Sequence, residues 1–217
     1  MKIRFYNARI MTMTDGCALF SGELWVENDR ILYIGDGSDL DDFYKRTGKD
    51  CIVWDREIDC EGNVLMPGFK NAHTHSAMVA MRSFADDMPL QEWLNTKIFP
   101  LEAKMTDQDN YDLTQLAILE YLTSGVTSIF DMYLSPKDIA QACVDMGMRC
   151  VLVSGLNQFG PALEVMEERY LNLNKMHPLI TYMMGVHAEY TCPKELLEQV
   201  SGLIHKYQAP LFAHMSE

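Results

Sequence analysis

From about residue 63 onward, the sequence alternates short apolar segments with amphipathic segments of helical period. The strand candidates are 64–72, 127–132, 149–154, 180–186 and 210–213, with helical patterns between them. Each intervening helix returns the chain so that the next strand runs in the same direction. The alternation therefore predicts a parallel sheet of an α/β protein.

The helix boundaries carry recognisable terminal residues. Thr106 is placed to cap a helix, with Asp109 in the capping-box position, and Gly125 follows the end of that helix. A second helix is predicted to begin at Pro136 and to end before Gly147. Both patterns support helices that connect successive strands.

Continuous apolar strands followed by reactive polar residues are typical of a (β/α)8 TIM barrel, whose active site lies at the carboxyl ends of the strands. A doubly wound open sheet is the alternative, but it usually shows a glycine-rich turn after the first strand, and none is present. Only five of the eight strands are found, so the barrel is predicted to be truncated after strand five. Its unclosed edges would expose apolar surface.

The first 62 residues have a different pattern, with short alternating stretches that predict strands. The candidates are 2–13, 23–26, 31–34, 51–54 and 57–60. We therefore predict a small N-terminal β domain over residues 1–62 and the first half of a barrel over residues 63–217.

Composition excludes several classes of partner. The 31 acidic and 18 basic residues give a net charge of −13, and no basic cluster is present, so neither nucleic acid nor an anionic membrane is an expected partner. The six cysteines show no CxxC spacing, and the N-terminus has no signal-peptide pattern. These features predict a cytoplasmic protein with reduced thiols.

Two apolar segments end in histidine. His73 and His75 are one residue apart, so along a strand their side chains point to the same face and both imidazoles could bind one metal ion. His214 ends another apolar segment, and Glu217 follows three residues later. The pattern predicts a third ligand and a proton-transferring carboxylate beside metal-bound water.

Longer motifs surround these histidines. Residues 59–102 and 187–217 resemble the amidohydrolase superfamily, in particular the branch of 5'-methylthioadenosine/S-adenosylhomocysteine deaminases and triazine chlorohydrolases. The motifs that carry the resemblance are Asp59 to Phe69, Asn71 to His75, Ala85 to Leu94 and Phe99 to Glu102. The resemblance covers the N-terminal half of a typical member. It implies a metal-bearing barrel with a β-sandwich built from both chain ends, and a C-terminal half that supplies a further histidine and a metal-binding aspartate.

The resemblance also implies roles for individual residues. The expected metal is Zn²⁺, with Fe²⁺ as the alternative, because three imidazoles, a carboxylate and an open water position suit either ion. By position, the metal ligands are His73, His75 and His214, the proton-transferring residue is Glu217, and the substrate-contacting residues are His187 and Glu102.

The implied reaction is hydrolytic deamination of an adenine nucleoside or a related small aminated heterocycle. Metal-activated water attacks the ring carbon, and ammonia leaves. Ser154 stands where members that accept S-adenosylhomocysteine tend to have arginine, which disfavours that substrate. Two alternatives are a chlorohydrolase or another amidohydrolase that acts on a heterocycle, and an inactive fragment or split-barrel subunit that needs a partner chain. Negligible turnover is expected from residues 1–217 alone, and exposed apolar surface would favour homo-oligomers.

Overall fold

The computed structural model of the protein describes residues 1–48 and 51–215. The chain divides into two compact units, Met1–Pro67 and Gly68–Glu217. The predicted change of pattern at residue 62 lies shortly before this division. Among the described residues, no helix is both long enough and apolar enough to cross a membrane.

The described residues of the N-terminal unit form a five-stranded sheet and one helix. Its elements are β1 (Lys2–Ile10), β2 (Phe20–Glu27), β3 (Arg30–Gly35), α1 (Leu40–Thr47), β4 (Arg56–Asp59) and β5 (Val64–Leu65). β1 pairs antiparallel with β2 along one edge and parallel with both β4 and β5 along the other. β1 therefore organises this sheet.

An aromatic cluster forms the core of this unit. β2 and β3 pair antiparallel as a hairpin, which contributes Trp25 and Tyr33. Phe43 comes from α1, and all three side chains are buried. The Trp25 ring lies 4.5 Å from the Tyr33 ring and 5.5 Å from the Phe43 ring, measured between centroids. Burial of these large rings fixes α1 against the hairpin.

Two predictions concern this unit, a strand at 51–54 and a β-sandwich. The predicted strand at 51–54 is wrong, because these residues form no strand, and Ile52 and Trp54 instead pack against the aromatic cluster. The described residues of the unit form a single sheet, so the second layer of the predicted β-sandwich stays a prediction.

The second unit alternates strands and helices. Its strands are β6 (Phe69–Thr74), β7 (Val126–Asp131), β8 (Arg149–Val153), β9 (Ile180–Ala188) and β10 (Leu211–His214). Between β6 and β7 lie α2 (Leu90–Trp93), a π-helical turn (Leu94–Ile98), α3 (Phe99–Glu102) and α4 (Asp107–Thr123). The later connections are α5 (Pro136–Met146), α6 (Leu163–Leu173) and α7 (Lys194–Tyr207).

The predicted helix ends are confirmed at the atomic level. The Thr106 side chain accepts a hydrogen bond from the Asp109 backbone N–H, and the Asp109 carboxylate accepts one from the Thr106 N–H. Gly147 ends α5 with a φ of 72°, in the left-handed region that favours glycine.

All five strands of this sheet are parallel and follow one another in chain order, β6 to β10. A doubly wound sheet would reverse its strand order, so this alternative is wrong. The sequential order is that of half a (β/α) barrel, and the α/β prediction is confirmed. Closure by eight strands stays a prediction.

The predicted first strand at 64–72 is two strands. Val64 and Leu65 pair with β1 in the N-terminal unit, whereas Phe69–Thr74 pairs with β7 in the second unit. Pro67 lies between them and has no N–H to continue a ladder. Gly68 follows, and a Cβ atom there would lie 2.3 Å from the Thr127 side chain. The apolar run therefore contains the division between the units.

One face of the parallel sheet carries the main core. Alternate residues of β9, Ile180, Tyr182, Met184 and Val186, are buried against residues from α4 to α7. On β7 and β10, Phe130 and Phe212 stack on each other with ring centroids 6.0 Å apart and are not part of that core. The helices therefore cover one face of the sheet.

Two glycines of this unit provide a matched test of backbone packing. A Cβ atom at Gly185 would lie 2.5 Å from the Phe212 carbonyl oxygen and 2.8 Å from that of Ser154, whereas at Gly202 on α7 it would meet nothing within 4 Å. We expect Gly185→Ala to lower the free energy of unfolding by about 1–3 kcal/mol through overpacking. Gly202→Ala should raise it by up to about 1 kcal/mol through helix propensity. Urea denaturation measures both, and equal effects would contradict this account.

Candidate metal centre

The H-x-H segment lies at the carboxyl end of β6. Thr74 is buried and turned away from the two histidines, and its hydroxyl donates to the Phe130 carbonyl oxygen at 2.7 Å. The pairing with β7 shifts register between Asn71 and Thr74, and the His73 N–H donates to the Asn71 side-chain oxygen at 3.2 Å. Strand alternation therefore places His73 and His75 on the same side, as the sequence predicted.

The two imidazoles converge on one point. The Nε2 atoms of His73 and His75 are 3.1 Å apart. Two nitrogens that each lie about 2.0–2.1 Å from one tetrahedral zinc ion would be roughly 3.3 Å apart. The pair is therefore spaced to share a metal ion through Nε2.

His214 reaches the same point from the far edge of the sheet. Its ring centroid lies 4.7 Å from that of His73 and 5.4 Å from that of His75. One ligand atom from each of the three histidines can be chosen so that all lie within 4.8 Å of one another. Glu217, the predicted proton-transferring residue, lies outside the described residues.

The convergence depends on curvature of the sheet. β6 and β10 are the two edge strands, and four steps between neighbouring strands would separate them by about 19 Å in a flat sheet. The His73 and His214 rings are nevertheless only 4.7 Å apart between centroids. The sheet must therefore curl as a barrel wall does.

The ring of His75 is oriented by the neighbouring strand. Its Nδ1 lies 2.6 Å from the Met132 carbonyl oxygen, one residue beyond β7. A carbonyl oxygen only accepts hydrogen bonds, so Nδ1 must carry the proton. The Nε2 atom is then left with its lone pair toward the shared point, which is the arrangement that a metal-binding histidine requires.

Glu102 lies close to this centre. It ends α3 near Tyr133, whose hydroxyl donates to the Met105 sulfur at 3.6 Å and whose ring lies 6.5 Å from the His75 ring between centroids. Burial raises the pKa of the Glu102 carboxyl, although nearby Tyr133 and His75 act in the opposite direction. Burial and the Glu102 carboxylate raise the pKa of Tyr133, so its hydroxyl stays protonated.

His187 lies beside His214, on the strand that neighbours β10. It belongs to β9, and its ring centroid is 5.2 Å from that of His214. Its Nδ1 is 3.3 Å from the Thr191 hydroxyl oxygen, and its backbone N–H donates to the Leu156 carbonyl oxygen at 2.8 Å. The structure therefore brings His187 to the same end of the sheet as the three-histidine cluster.

Three groups of this centre were missed in the sequence. They are the Asp131 carboxylate, the Met132 carbonyl and the Tyr133 hydroxyl, all at or just past the end of β7. Polar residues directly after an apolar strand are the positions where barrel sites form, so the position of Asp131 and Tyr133 could have identified them. The Met132 carbonyl could not have been identified in this way, because every residue has a backbone carbonyl.

A cavity of about 540 Å³ adjoins His75. Its lining includes Met78, Phe84 and Trp93, together with the ion pair between Arg82 and Glu120. Its size falls in the range of small-molecule sites, about 300–1,000 Å³.

Comparison with known proteins places this geometry in a family. The profile of the "Amidohydrolase family" matches residues 64–217, which is most of the chain. A protein named 5-methylthioadenosine/S-adenosylhomocysteine deaminase, from Syntrophomonas wolfei, is 44% identical over 169 residues, which cover 76% of this chain and 39% of that protein. The resemblance stated from the motifs is confirmed.

Solved structures agree on the fold. The zinc-bound structure of an adenosine deaminase from Xanthomonas campestris superposes with a TM-score of 0.83 at 25% identity, over 98% of this chain and 49% of that one. A triazine hydrolase from Arthrobacter aurescens gives a TM-score of 0.80 at 18% identity, over 100% and 53%, and this likeness concerns the fold alone. The chain spans about half the length of the curated relatives it matches.

Removal of a candidate ligand tests the metal centre. We expect His75→Ala and His214→Ala each to lower Zn²⁺ affinity by more than the roughly 10- to 100-fold that loss of an outer-shell partner costs. His205→Ala is the matched control, because His205 lies on exposed α7 and bonds the Ser201 carbonyl at 2.7 Å. Competition with a chromophoric chelator measures the affinity. Unchanged binding in both site variants would contradict the assignment.

The buried Glu102 carboxyl predicts a pH-dependent stability in metal-free protein. Since its folded-state pKa is raised above the ordinary 4.5, its contribution to stability is full below that value and is lost as the pH rises through the raised pKa. Glu102→Gln should therefore match the parent below 4.5, become more stable than the parent as the pH rises from there through the raised pKa, and keep a constant advantage above it.

Glu120→Gln is the control of opposite sign for this pH series. The Arg82 guanidinium lowers the pKa of Glu120, so this substitution should cost stability at neutral pH and nothing at low pH. Urea denaturation from pH 3 to 8 measures both, taking that interval as about the range in which carboxyl groups titrate. If both substitutions changed the stability at neutral pH in the same direction, the pKa shifts assigned to Glu102 and Glu120 would be contradicted.

Proposed function

The chain belongs to the amidohydrolase family, and on this premise we propose that it forms the metal-binding half of a hydrolytic deaminase for adenine nucleosides or related aminated heterocycles. One observation carries the proposal: His73, His75 and His214 converge from the two edge strands of a parallel sheet. Convergent histidines at the carboxyl ends of barrel strands are the usual setting of metal-assisted hydrolysis.

The relatives support the choice of reaction. The Syntrophomonas protein is named for deamination of 5-methylthioadenosine and S-adenosylhomocysteine, and the Xanthomonas structure is that of an adenosine deaminase with bound zinc. All these substrates carry an adenine amino group. Hydrolysis breaks the bond between that nitrogen and the ring carbon, forms a carbonyl there and releases ammonia.

We infer that His73, His75 and His214 hold the metal through their imidazole nitrogens. Zn²⁺ suits a nitrogen-rich site of this kind, with Fe²⁺ as the alternative. The ion supplies Lewis acidity that lowers the pKa of water toward neutrality. The Met132 carbonyl contributes by holding the His75 proton on Nδ1, so that Nε2 remains available as a ligand.

Glu217 is proposed to move the proton. It follows His214, the last residue of β10, by three residues in the sequence. A carboxylate can take a proton from the attacking water and deliver it to the ring nitrogen beside the reacting carbon. Protonation of that nitrogen lets the ring carbon accept the new bond.

Glu102 and His187 are proposed to bind the substrate. Glu102 lies close to Tyr133 and His75, and a carboxylate can accept two hydrogen bonds from the vicinal hydroxyls of a ribose. His187 lies near His214 on the neighbouring strand. The cavity beside His75 offers room for a nucleoside.

The substrate's 5' substituent is expected to be uncharged. Ser154, just past the end of β8, is only 5% exposed and carries no charge. It cannot make the bidentate contact that arginine makes to a carboxylate. This favours 5'-methylthioadenosine or adenosine over S-adenosylhomocysteine. A cytoplasmic location and homo-oligomers stay sequence predictions.

Ammonia release tests the proposed reaction. Zinc-loaded protein of the relatives' full length is expected to deaminate 5'-methylthioadenosine and adenosine, with a lower kcat/KM for S-adenosylhomocysteine, whereas residues 1–217 alone are expected to show negligible turnover. Glu217→Gln should lower kcat by about 100- to 10,000-fold, the usual contribution of general acid–base catalysis, with little change in zinc content. His205→Ala should retain full activity. Intact mass, measured first, shows whether the preparation is the 24.8 kDa chain or a longer one.

The outcomes separate the remaining alternatives. Chloride release from a chlorotriazine without ammonia release from any purine nucleoside would make the protein a chlorohydrolase. Activity that appears only when a second chain co-purifies would identify a split barrel. Ammonia release by Glu217→Gln at the parental rate would refute the role of Glu217.

A further inference from the structure

Asp131 is a completely buried acid that the proposed reaction does not use. It ends β7 and has 0% solvent exposure. Burial of a carboxylate is costly unless hydrogen bonds compensate for lost water, so a fully enclosed acid needs a specific set of donors. Those donors all come from the segment that contains His75.

A single oxygen of Asp131 holds both neighbours of His75. Its Oδ2 accepts a hydrogen bond from the Ser76 backbone N–H at 2.8 Å and lies 3.0 Å from the Thr74 hydroxyl oxygen, whose one hydrogen is shared between Asp131 and the Phe130 carbonyl. The Ser76 hydroxyl makes a further, short hydrogen bond to the same atom. The residue before His75 and the residue after it are therefore tied to one point on β7.

The backbone alone does not provide this restraint. The β6–β7 ladder shifts register between Asn71 and Thr74, so regular pairing is interrupted where the metal-binding segment begins. The next backbone bond runs from the Met132 N–H to the Thr74 carbonyl at 3.1 Å. Beyond Thr74 the chain enters a 3₁₀ turn, Ser76–Met81. Side-chain hydrogen bonds therefore add to two backbone bonds at this junction, from the Met132 N–H to the Thr74 carbonyl and from the Met78 N–H to the His75 carbonyl at 2.9 Å.

The restraint extends to the helix layer. The Tyr121 hydroxyl on α4 lies 3.2 Å from the Ser76 hydroxyl oxygen. Since the Ser76 hydrogen is engaged by Asp131, Tyr121 is the donor in this contact. The network therefore runs from α4 through Ser76 to β7. Among the described residues, no basic side chain donates to Asp131, and its Oδ1 has no hydrogen-bond partner.

We propose that Asp131 is a positioning residue for the metal centre, whose carboxylate holds the Thr74–Ser76 segment so that His75 Nε2 stays beside His73 Nε2. The inference rests on the proposed metal site. Met132 supplies the second half of the restraint, since its carbonyl holds the His75 ring while Asp131 holds the backbone on either side. Asp131, the last residue of β7, and Met132, which follows it, thus determine the place and the orientation of one ligand.

Two substitutions at Asp131 distinguish the effect of its hydrogen-bond acceptor from the effect of its carboxylate charge. Asp131→Ala removes the acceptor, and we expect Zn²⁺ affinity to fall by about 10- to 100-fold. Asp131→Asn keeps one oxygen that can accept from Thr74 and Ser76, so it should retain affinity closer to that of the parent. Ser76→Ala removes only the hydroxyl donor and should lower affinity by a smaller factor in the same direction, which keeps a test available if Asp131→Ala does not fold.

Asn174→Ala is the matched control. The Asn174 amide clamps a strand in the same way, because it accepts from the Tyr182 N–H at 2.9 Å and donates to the Tyr182 carbonyl at 3.0 Å. It makes no hydrogen bond to a candidate metal ligand among the described residues. It should lower the free energy of unfolding and leave Zn²⁺ affinity unchanged. A purely structural Asp131 would behave like Asn174, and that result would overturn the inference.

Hydrogen exchange in metal-free protein gives an independent readout. The Ser76 amide donates to Asp131, so Asp131→Ala should accelerate its exchange at least several-fold without a comparable change at His187, whose amide donates to the Leu156 carbonyl. Unchanged Ser76 exchange would overturn the inference even if the protein bound no zinc. Failure of the parent to bind Zn²⁺ would instead refute the metal site, so the two failures are distinguishable.

Discussion

Curvature of the parallel sheet is the constraint on which the candidate centre depends. The two histidine-bearing strands, β6 and β10, are the outermost of five, yet the rings of His73 and His214 lie within 4.7 Å of each other. A flat sheet would keep them about four strand spacings, roughly 19 Å, apart. Packing of α4 to α7 on one face, together with strand twist, produces the curl that brings the edges together.

Parallel direction is the second requirement. Every strand of the second unit ends at the same edge, so the residues that follow β6, β7, β9 and β10 meet there without any long-range pairing of their own. The Met132 carbonyl and the Asp131 carboxylate illustrate the consequence. Both belong to β7 or its first following residue, and both act on the segment around His75, which is the end of the adjacent strand.

Buried polar groups restrict the arrangement of side chains at the carboxyl edge of the parallel sheet more than apolar packing alone would. A carboxylate enclosed at 0% exposure must find donors, and Asp131 finds them on both sides of one histidine. Glu102 shows a weaker form of the same effect, because partial burial raises the pKa of its carboxyl while nearby Tyr133 and His75 act to lower it. Unsatisfied alternatives would be costly, so these bonds restrict the arrangements that the edge can adopt.

The sequence by itself determined the elements whose causes are local: the Thr106–Asp109 capping box, the glycine after α5, the alternation that places His73 and His75 on one face, and the order of strands and helices. The strand predicted at 51–54 is wrong, because apolar side chains there pack against the aromatic cluster instead. The single strand predicted at 64–72 combined β5 and β6, because an apolar run can continue across the division between two units. Only the tertiary structure decided that His214 meets the H-x-H pair, that Met132 orients His75 and that Asp131 holds its neighbours. These contacts join residues more than 50 positions apart, and only packing and sheet curvature bring such residues together.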